Sequence, residues 1–156
     1  MKVFIGADHR GFKLKESIKE HLLQRGFEVG DGGALTLDPE DDYPDFAYRV
    51  ARAIAREPGS FGILLCASGV GMDVVANKVR GVRATVGYSR ESIMHARSHD
   101  DINVLALHAD NLSDTQAMAL VNLFLATPFD GAERNRRRAA KVAAVEEREF
   151  KPHQHL

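Results

Sequence analysis

The sequence predicts an α/β fold in which a single doubly wound, five-stranded parallel sheet carries helices on both faces and is followed by an extended C-terminal helix. Short apolar runs alternate with longer segments of helical period, as strands and helices that follow one another do. Most of the runs are apolar at every position, which is typical of strands covered on both faces. The length of 156 residues fits one such domain.

Five runs have the length and composition of buried strands. Each is short and mostly apolar. In chain order, the predicted strands are residues 3–5, 27–29, 63–65, 84–86 and 104–107.

The segments between the strands repeat apolar residues at the spacing of one buried helix face. These sets are residues 14, 18 and 22, residues 46, 50 and 54, and residues 118, 121 and 125. Residues that commonly begin or end helices support these three predictions. Gly26 follows the first helix, Pro44 stands near the start of the second, and Pro58 and Gly59 stand at its end. Ser113 and Gln116 could form a capping box at the start of a helix that runs to about Thr127. A last helix is predicted at residues 133–149.

No internal repeat, low-complexity region or interdomain linker interrupts the sequence. We therefore expect residues 1–150 to form a single domain and residues 151–156 to form a disordered tail. A sheet of this topology is Rossmann-like, and its ligands bind beyond the carboxyl ends of the strands. The loops after residues 5, 65 and 107 are thus the first places to look for a site.

The composition excludes several classes of protein. Twenty-one Lys and Arg residues against 22 Asp and Glu residues give a net charge of −1, so no overall field attracts nucleic acid or anionic lipid. The apolar stretches are shorter than the roughly 18 residues of a membrane-spanning helix, and the first ten residues lack the apolar region of a secretory signal. A single cysteine permits no internal disulfide, which fits a reducing compartment. We expect a cytoplasmic protein without nucleic-acid or membrane partners.

The third predicted strand runs into the loop Cys66-Ala67-Ser68-Gly69-Val70-Gly71 and then into a helix predicted to reach about Lys78. Small residues let the backbone approach a ligand, and the first amides of a helix have no partner within it, so this loop can bind an anion. Val74 stands where a dinucleotide-binding loop has its third glycine, so NAD is not predicted.

Cys66 has two interpretations. At the mouth of the loop, unpaired amides and the positive end of the helix would favour the thiolate, which can accept a proton. A lone cysteine that closes a strand is more often a small buried apolar residue. The adjoining Ser68 and the two glycines favour the first interpretation.

Several histidines and a carboxylate could belong to the same site. Asp8 and His9 follow the first strand and could orient a sugar hydroxyl, or they could be a helix cap and a surface residue. His95 and His99 have a spacing used by metal ligands, but no third ligand stands at a diagnostic distance, and no metal is predicted. His99 is then either a solvated side chain or a proton donor.

The segment Arg134-Asn135-Arg136-Arg137-Arg138 is the densest charge run in the chain. Arg134 and Arg138 are four residues apart, so both project from one side of a helix, where two guanidinium groups can hold one phosphate. A solvated helix face and an RNA-binding surface are the alternatives. The near-neutral net charge and the absence of Trp favour the phosphate clamp.

Together these residues resemble the type B ribose-5-phosphate isomerases and the related galactose-6-phosphate isomerase subunits. The resemblance extends from residue 2 to about residue 145. It rests on ordered segments at residues 5–15 (IGADHRGFKLK), 42–47 (DYPDFA), 62–66 with 69–72 (GILLC and GVGM), 76–79 (ANKV), 99 (His) and 103–107 (NVLAL).

The resemblance implies that the protein isomerises a phosphorylated aldose to a ketose through an enediolate, without metal, nucleotide or other cofactor. Ribose 5-phosphate, converted to ribulose 5-phosphate, is the first substrate it suggests. By resemblance, Cys66 moves the proton between C1 and C2, Ser68 assists proton transfer between the oxygens, and His99 opens the sugar ring. The remaining implied contacts are the loop amides of Ala67, Gly69, Val70 and Gly71 with the oxyanion, Asp8, Tyr43 and Asp100 with the sugar, and His9, Arg134 and Arg138 with the phosphate.

The resemblance also implies assembly, because members of the family are dimers or tetramers. We therefore expect a homodimer or homotetramer with sites at the subunit interface. In such an assembly a C-terminal helix can carry binding arginines because it reaches the partner's site.

Several positions depart from the family's usual pattern. Ala67-Ser68 replaces Gly-Thr, Asp100 replaces Asn, and residues 107–110 read Leu-His-Ala-Asp where Leu-Gly-Ala-Arg is common. Asp110 thus puts an acid where a basic contact is usual, which predicts repulsion of the phosphate. Residues 131–138 fit the family's C-terminal pattern Gly-Gly-Arg-His-x-x-Arg only with one inserted residue. Asn135 then takes the histidine position, and Arg137 is an alternative to Arg138 as a phosphate ligand.

These departures leave two other functions open. The protein could isomerise a different sugar phosphate, such as allose 6-phosphate, another hexose phosphate or a tetrose phosphate. It could also be a noncatalytic sugar-phosphate sensor or an RNA-binding protein that retains the fold.

Overall fold

The computed structural model describes residues 1–150, so the tail predicted at residues 151–156 lies outside the described residues. Within residues 1–150, five parallel strands form one sheet in the order β2-β1-β3-β5-β4, and the predicted fold class is confirmed. The strands are β1 (Lys2–Ala7), β2 (Glu28–Asp31), β3 (Phe61–Cys66), β4 (Ala84–Val86) and β5 (Val104–His108).

In the part of the chain that the structure describes, six α-helices connect and follow the strands: α1 (Phe12–Gln24), α2 (Tyr43–Arg56), α3 (Val70–Ala76), α4 (Arg90–Asp100), α5 (Asp114–Ala126) and α6 (Glu133–Glu149). Ser113 and Gln116 form the predicted capping box at the start of α5. Helix α3 ends two residues earlier than predicted, because the Asn77 side chain pairs with the backbone of Ala84 at the start of β4. Among residues 1–150, none of the helices has the length and apolar character needed to cross a bilayer.

The helices cover both faces of the sheet. Helices α1, α4 and α5 pack on one face, where Ile18 and Phe124 are fully buried. Helices α2 and α3 pack on the other face, where Val50 and Met72 are fully buried. Helix α6 lies outside both layers and is attached through hydrogen bonds such as that from the Gly81 amide to Glu146.

A buried ion network supports the edge of the sheet beyond β1 and β2. The side chain of Lys15, on α1, is fully buried, and its Nζ donates to both Asp31 carboxylate oxygens at 2.9 Å and to the Ala34 carbonyl at 2.7 Å. Burial alone would raise the pKa of Asp31, but hydrogen bonds from Lys19, Lys15 and the Gly33 amide outweigh it and hold that pKa below its ordinary value. The network fixes the segment that pairs with Ala7 at the end of β1.

Candidate active site

The predicted site loops meet where the winding of the sheet reverses. From β1 the chain moves to β2 on one side and then crosses to β3 on the other, so the reversal lies between β1 and β3. Asp8 follows β1, Cys66 ends β3, and the Asp8 amide donates to the Leu65 carbonyl at 3.3 Å. A crevice beyond the strands at such a reversal is the usual ligand site of a doubly wound sheet.

Cys66 is buried at this edge and receives a hydrogen bond from the loop that follows it. The residue is 5% exposed, and its sulfur accepts the Gly69 N–H at 3.1 Å. Gly69 has a φ of 79°, and a Cβ there would lie 3.1 Å from the Leu107 carbonyl carbon, so glycine alone fits this turn without strain. Both interpretations of Cys66 therefore contribute: it is a small buried side chain, and an amide points at its sulfur.

The sequence predicted that the loop amides would be unpaired, and for two of them this is wrong. The Gly69 amide donates to Cys66 Sγ, and the Val70 amide donates to the Ser68 hydroxyl at 3.3 Å. The left-handed turn at Gly69 folds the loop back over the sulfur, which is why these donors find partners within it. The Ser68 oxygen is held within the same loop as the thiol.

Tyr43 reaches the loop from the start of α2. A Cβ on Gly71 would lie 2.6 Å from Cε2 of Tyr43, so the tyrosine ring packs directly against the glycine backbone. Tyr43 is still 40% exposed. The structure thus brings Tyr43 to the loop that follows Cys66, and the tyrosine remains partly exposed there.

Asp8 is buried and caps the turn before α1. Its Oδ1 accepts the amides of Arg10 at 3.0 Å and Gly11 at 3.2 Å. Burial raises the pKa of Asp8 above its ordinary value, although the hydrogen bonds from these amides act in the opposite direction. Asp8 therefore closes the turn before α1 but does not cap the helix itself, whose N-cap is Gly11 without a side-chain cap, so the predicted helix-cap role is wrong.

His9 is oriented by Asp41, which lies in the loop before α2. One oxygen of Asp41 accepts the His9 amide at 2.9 Å and bonds the His9 Nδ1 at 2.7 Å. This hydrogen bond raises the pKa of His9 above its ordinary value, against the smaller lowering effect of burial. The imidazolium therefore persists to higher pH, which suits a group that binds an anion.

Replacing Asp41 with asparagine is expected to lower the pKa of His9 toward the ordinary value of 6.5. An NMR titration of the imidazole resonances, with His21 as the internal reference, measures the change. Because the pKa is raised in the folded chain, the imidazolium adds stability below the ordinary pKa, and this stability is lost as the pH rises through the raised value. Equal His9 titration in both proteins would contradict the role of Asp41.

Asp110 does not present an unopposed negative charge to this edge. The Arg10 guanidinium donates to both of its oxygens, from Nε to Oδ1 at 3.2 Å and from Nη2 to Oδ2. The two residues are 100 positions apart in the sequence, and their paired geometry fixes the guanidinium beside the carboxylate. The predicted repulsion of a phosphate by Asp110 is therefore offset by Arg10.

His99, Asp100, Arg134 and Arg138 lie at the opposite edge of the sheet. Helix α4 ends at Asp100, just before β5 begins, so its last turn is at the amino ends of the strands, whereas Cys66 is at a carboxyl end. From Val104 to His108, which pairs with Cys66, β5 alone spans roughly 13 Å. A single chain therefore does not bring these four residues to the thiol.

His99 belongs to a polar cluster that connects α4 to the start of α6. Its Nδ1 lies 2.8 Å from Nε2 of His95, and its Nε2 lies 3.9 Å from an Asp130 carboxylate oxygen. Asn135, the residue in the family's histidine position, is buried and donates to both Asp130 oxygens at 3.1 and 2.9 Å. Hydrogen bonds from the Ala132 amide and from Asn135 hold the pKa of Asp130 below its ordinary value.

Helix α6 forms one wall of a cavity of about 510 Å³ at this second edge. Asp100 and Arg138 both line this cavity. Arg137 instead donates to Glu133 one turn earlier, at 3.1 Å. Among residues 1–150, no three His, Cys, Asp or Glu side chains are grouped to hold a metal ion.

Comparisons with known proteins agree with this architecture. A profile of the family described as Ribose/Galactose Isomerase matches residues 3–142. The chain is similar to ribose-5-phosphate isomerase B of Mycobacterium tuberculosis, with 40% identity over 146 residues that cover 94% of this chain and 90% of that protein. The Escherichia coli protein of the same name is 38% identical over 147 residues, covering 94% of this chain and 97% of that protein.

The chain is also similar in fold to a solved structure of the same family. The crystal structure of ribose-5-phosphate isomerase B from Mycoplasma genitalium with bound ribulose-5-phosphate matches with a TM-score of 0.89 and 40% identity, covering 94% of this chain and 96% of that chain. The matched region includes the residues at both the carboxyl edge and the amino edge of the sheet. The chain therefore belongs to the ribose/galactose isomerase family.

Proposed function

We propose that the protein interconverts ribose 5-phosphate and ribulose 5-phosphate, with Cys66 as the group that moves the carbon-bound proton. The observation that carries the proposal is the Cys66 sulfur at the reversal point of the sheet, with the Gly69 amide directed at it. The amide stabilises negative charge on sulfur, as a proton acceptor requires. The names of the related proteins support this pair of pentose phosphates.

The reaction needs one base that acts at two neighbouring carbons. In the open-chain aldose, the Cys66 thiolate takes the proton from C2, and the electron pair of that C–H bond forms the C1–C2 double bond of an enediolate with its charge on O1. The hydroxyl proton moves from O2 to O1, and the thiol returns its proton to C1, which leaves the ketose. Atoms and charge balance without an oxidant or a reductant.

The groups around Cys66 supply the remaining steps at the carboxyl edge. Ser68, held in the same loop, relays the proton between O2 and O1. Those amides of the loop from Ala67 to Gly71 that do not already bond Cys66 or Ser68 bind the enediolate oxygen, a type of contact whose loss commonly costs about 100-fold in rate. Asp8 and Tyr43 bind sugar hydroxyls, and His9 contributes positive charge toward the phosphate.

A second copy of the chain completes the site in this proposal. His99 opens the sugar ring, Asp100 binds the sugar, and Arg134 and Arg138 bind the phosphate, yet all four lie at the amino edge of their own sheet. A homodimer that places the amino edge of one protomer against the carboxyl edge of the other unites both groups of residues. Two-fold symmetry then produces two equivalent sites.

Mixing two inactive variants tests this arrangement directly. Cys66→Ala and His99→Ala chains are each expected to be nearly inactive, whereas unfolding and refolding them together should restore about a quarter of wild-type activity, since half of the dimers are mixed and each has one intact site. Variants refolded separately and then assayed together serve as the control. If co-refolding restores no activity while the mixed dimer is detected by mass, each site is built within one chain.

The choice of substrate is tested by comparing kcat/KM for a panel of sugar phosphates. Ribose 5-phosphate is expected to give the highest value, ahead of allose 6-phosphate and a tetrose phosphate. A higher value for one of the others would replace the pentose in the proposal. Absence of turnover for every member, with tight binding by calorimetry, would favour a sensor.

A further inference from the structure

His108 lies beside Cys66 on the same face of the sheet. The two residues pair in the register of the parallel strands β5 and β3. Paired residues of neighbouring parallel strands point to the same face, and the preceding pair on this face, Leu64 and Ala106, is buried under α2 and α3. The imidazole therefore stands next to the thiol at the carboxyl edge, one strand away.

The imidazole is held in place by an aromatic neighbour. The ring of Tyr88, in the segment after β4, stacks on it with centroids 5.6 Å apart and an angle of 22° between the planes. Tyr88 is itself largely exposed, whereas His108 is partly buried. His108 is thus a fixed group rather than a solvated one.

One nitrogen of this ring has no partner. Nε2 of His108 is buried and forms no hydrogen bond with any of residues 1–150. An unpaired buried polar atom destabilises a fold, and such atoms in native proteins commonly have a catalytic or ligand-binding reason. Here the atom belongs to the residue that pairs with Cys66, whose thiol the proposed reaction uses.

We propose that His108 contacts the substrate, with Nε2 pairing with a hydroxyl oxygen of the sugar next to the carbons on which Cys66 acts. This inference rests on the proposed isomerase function. An imidazole nitrogen can either donate to a hydroxyl or accept from it, so the contact suits either tautomer. The contact is made in both the bound substrate and the transition state, so it contributes to binding rather than to the chemical step.

The test compares three variants of His108 with the wild type. Alanine removes the ring, asparagine places an amide near the position of Nδ1, and glutamine places one near the position of Nε2. We expect KM for ribose 5-phosphate to rise about tenfold in His108→Ala and His108→Asn with kcat nearly unchanged, and to return to within about threefold of wild type in His108→Gln. Rescue by glutamine alone identifies Nε2 as the group in use.

The outcomes separate this inference from the proposed function. Wild-type turnover of ribose 5-phosphate with all three variants unchanged in KM would overturn the His108 contact and leave the isomerase intact. Equal losses in asparagine and glutamine variants, with lowered melting temperatures, would show a packing role and also overturn it. No turnover by the wild type would overturn the proposed function and, with it, this inference.

Discussion

Replacing Cys66 with alanine is expected to reduce kcat for ribose 5-phosphate by about 10²- to 10⁴-fold, the usual contribution of a positioned acid–base group. The thiol is the group that the proposed reaction uses to carry the proton between C1 and C2. The Gly69 amide donates a hydrogen bond to the sulfur at 3.1 Å, and this hydrogen bond is lost when alanine replaces the cysteine. KM should change little, because the contacts to the phosphate and to the hydroxyls remain. Steady-state kinetics measures both parameters.

Serine at position 66 is the matched control for this variant. It preserves size and polarity but is a far weaker acid than a thiol, so it should be nearly as inactive as alanine while folding normally. Alkylation of wild-type protein provides a second measurement, in which substrate should slow the loss of activity. Activity that survives undiminished in Cys66→Ala would remove the thiol from the mechanism.

Replacing Lys15 with methionine is expected to lower the free energy of unfolding by about 3 kcal/mol, because it removes the buried cation, leaves Lys19 as the cation still paired with Asp31, and takes this donor from the Ala34 carbonyl. Nζ of Lys15 is fully buried and donates to Asp31 and to the Ala34 carbonyl. For a chain of this length, such a loss corresponds to a fall of roughly 6–12 °C in melting temperature. Urea denaturation and thermal melting measure the two quantities.

Lys19→Met is the matched control. Lys19 also bonds Asp31, at 2.7 Å, but its side chain is 29% exposed, so its removal should cost about 1 kcal/mol or less. If the two lysine variants lose equal stability, burial does not determine the strength of the network. An unchanged Lys15→Met would show that the fold does not depend on it.

The sheet could be predicted from the sequence because its signals are local. Apolar runs of three or four residues mark the strands, and the Ser113 capping box and Pro44 mark helix starts within one or two positions of those in the structure. The strand ends then place Asp8 and Cys66 at one edge, since parallel strands share their carboxyl ends. This half of the site follows from pattern and topology alone.

The pairings around the site could not be predicted in the same way. His9 with Asp41 and Arg10 with Asp110 join residues 32 and 100 positions apart, and no local periodicity signals such contacts. From the sequence alone, Lys15 is expected to be a solvated residue of an amphipathic helix, because its partner Asp31 is known only from the structure. Burial of a lysine depends on a partner that only the folded chain supplies.

The position of His99 at the amino edge of the sheet could have been predicted from topology, although the sequence motifs suggested that His99 and Cys66 belong to one site. A helix that leads into a parallel strand ends at the amino edge of the sheet, so the last turn of α4 could not face Cys66 of the same chain. The order of motifs along a sequence does not show which edge of the sheet each motif lies at, whereas the topology of the sheet does.

If the proposed dimeric arrangement holds, placement of the two groups of residues at opposite edges of one sheet makes turnover depend on protein concentration. Under the proposed dimeric arrangement, an isolated protomer holds only half of each active centre, so specific activity falls on dilution below the dissociation constant of the pair. A sugar phosphate bridging the two protomers also binds the pair in preference to its separated halves, and by mass action it draws them together. Substrate supply would then govern assembly as well as flux.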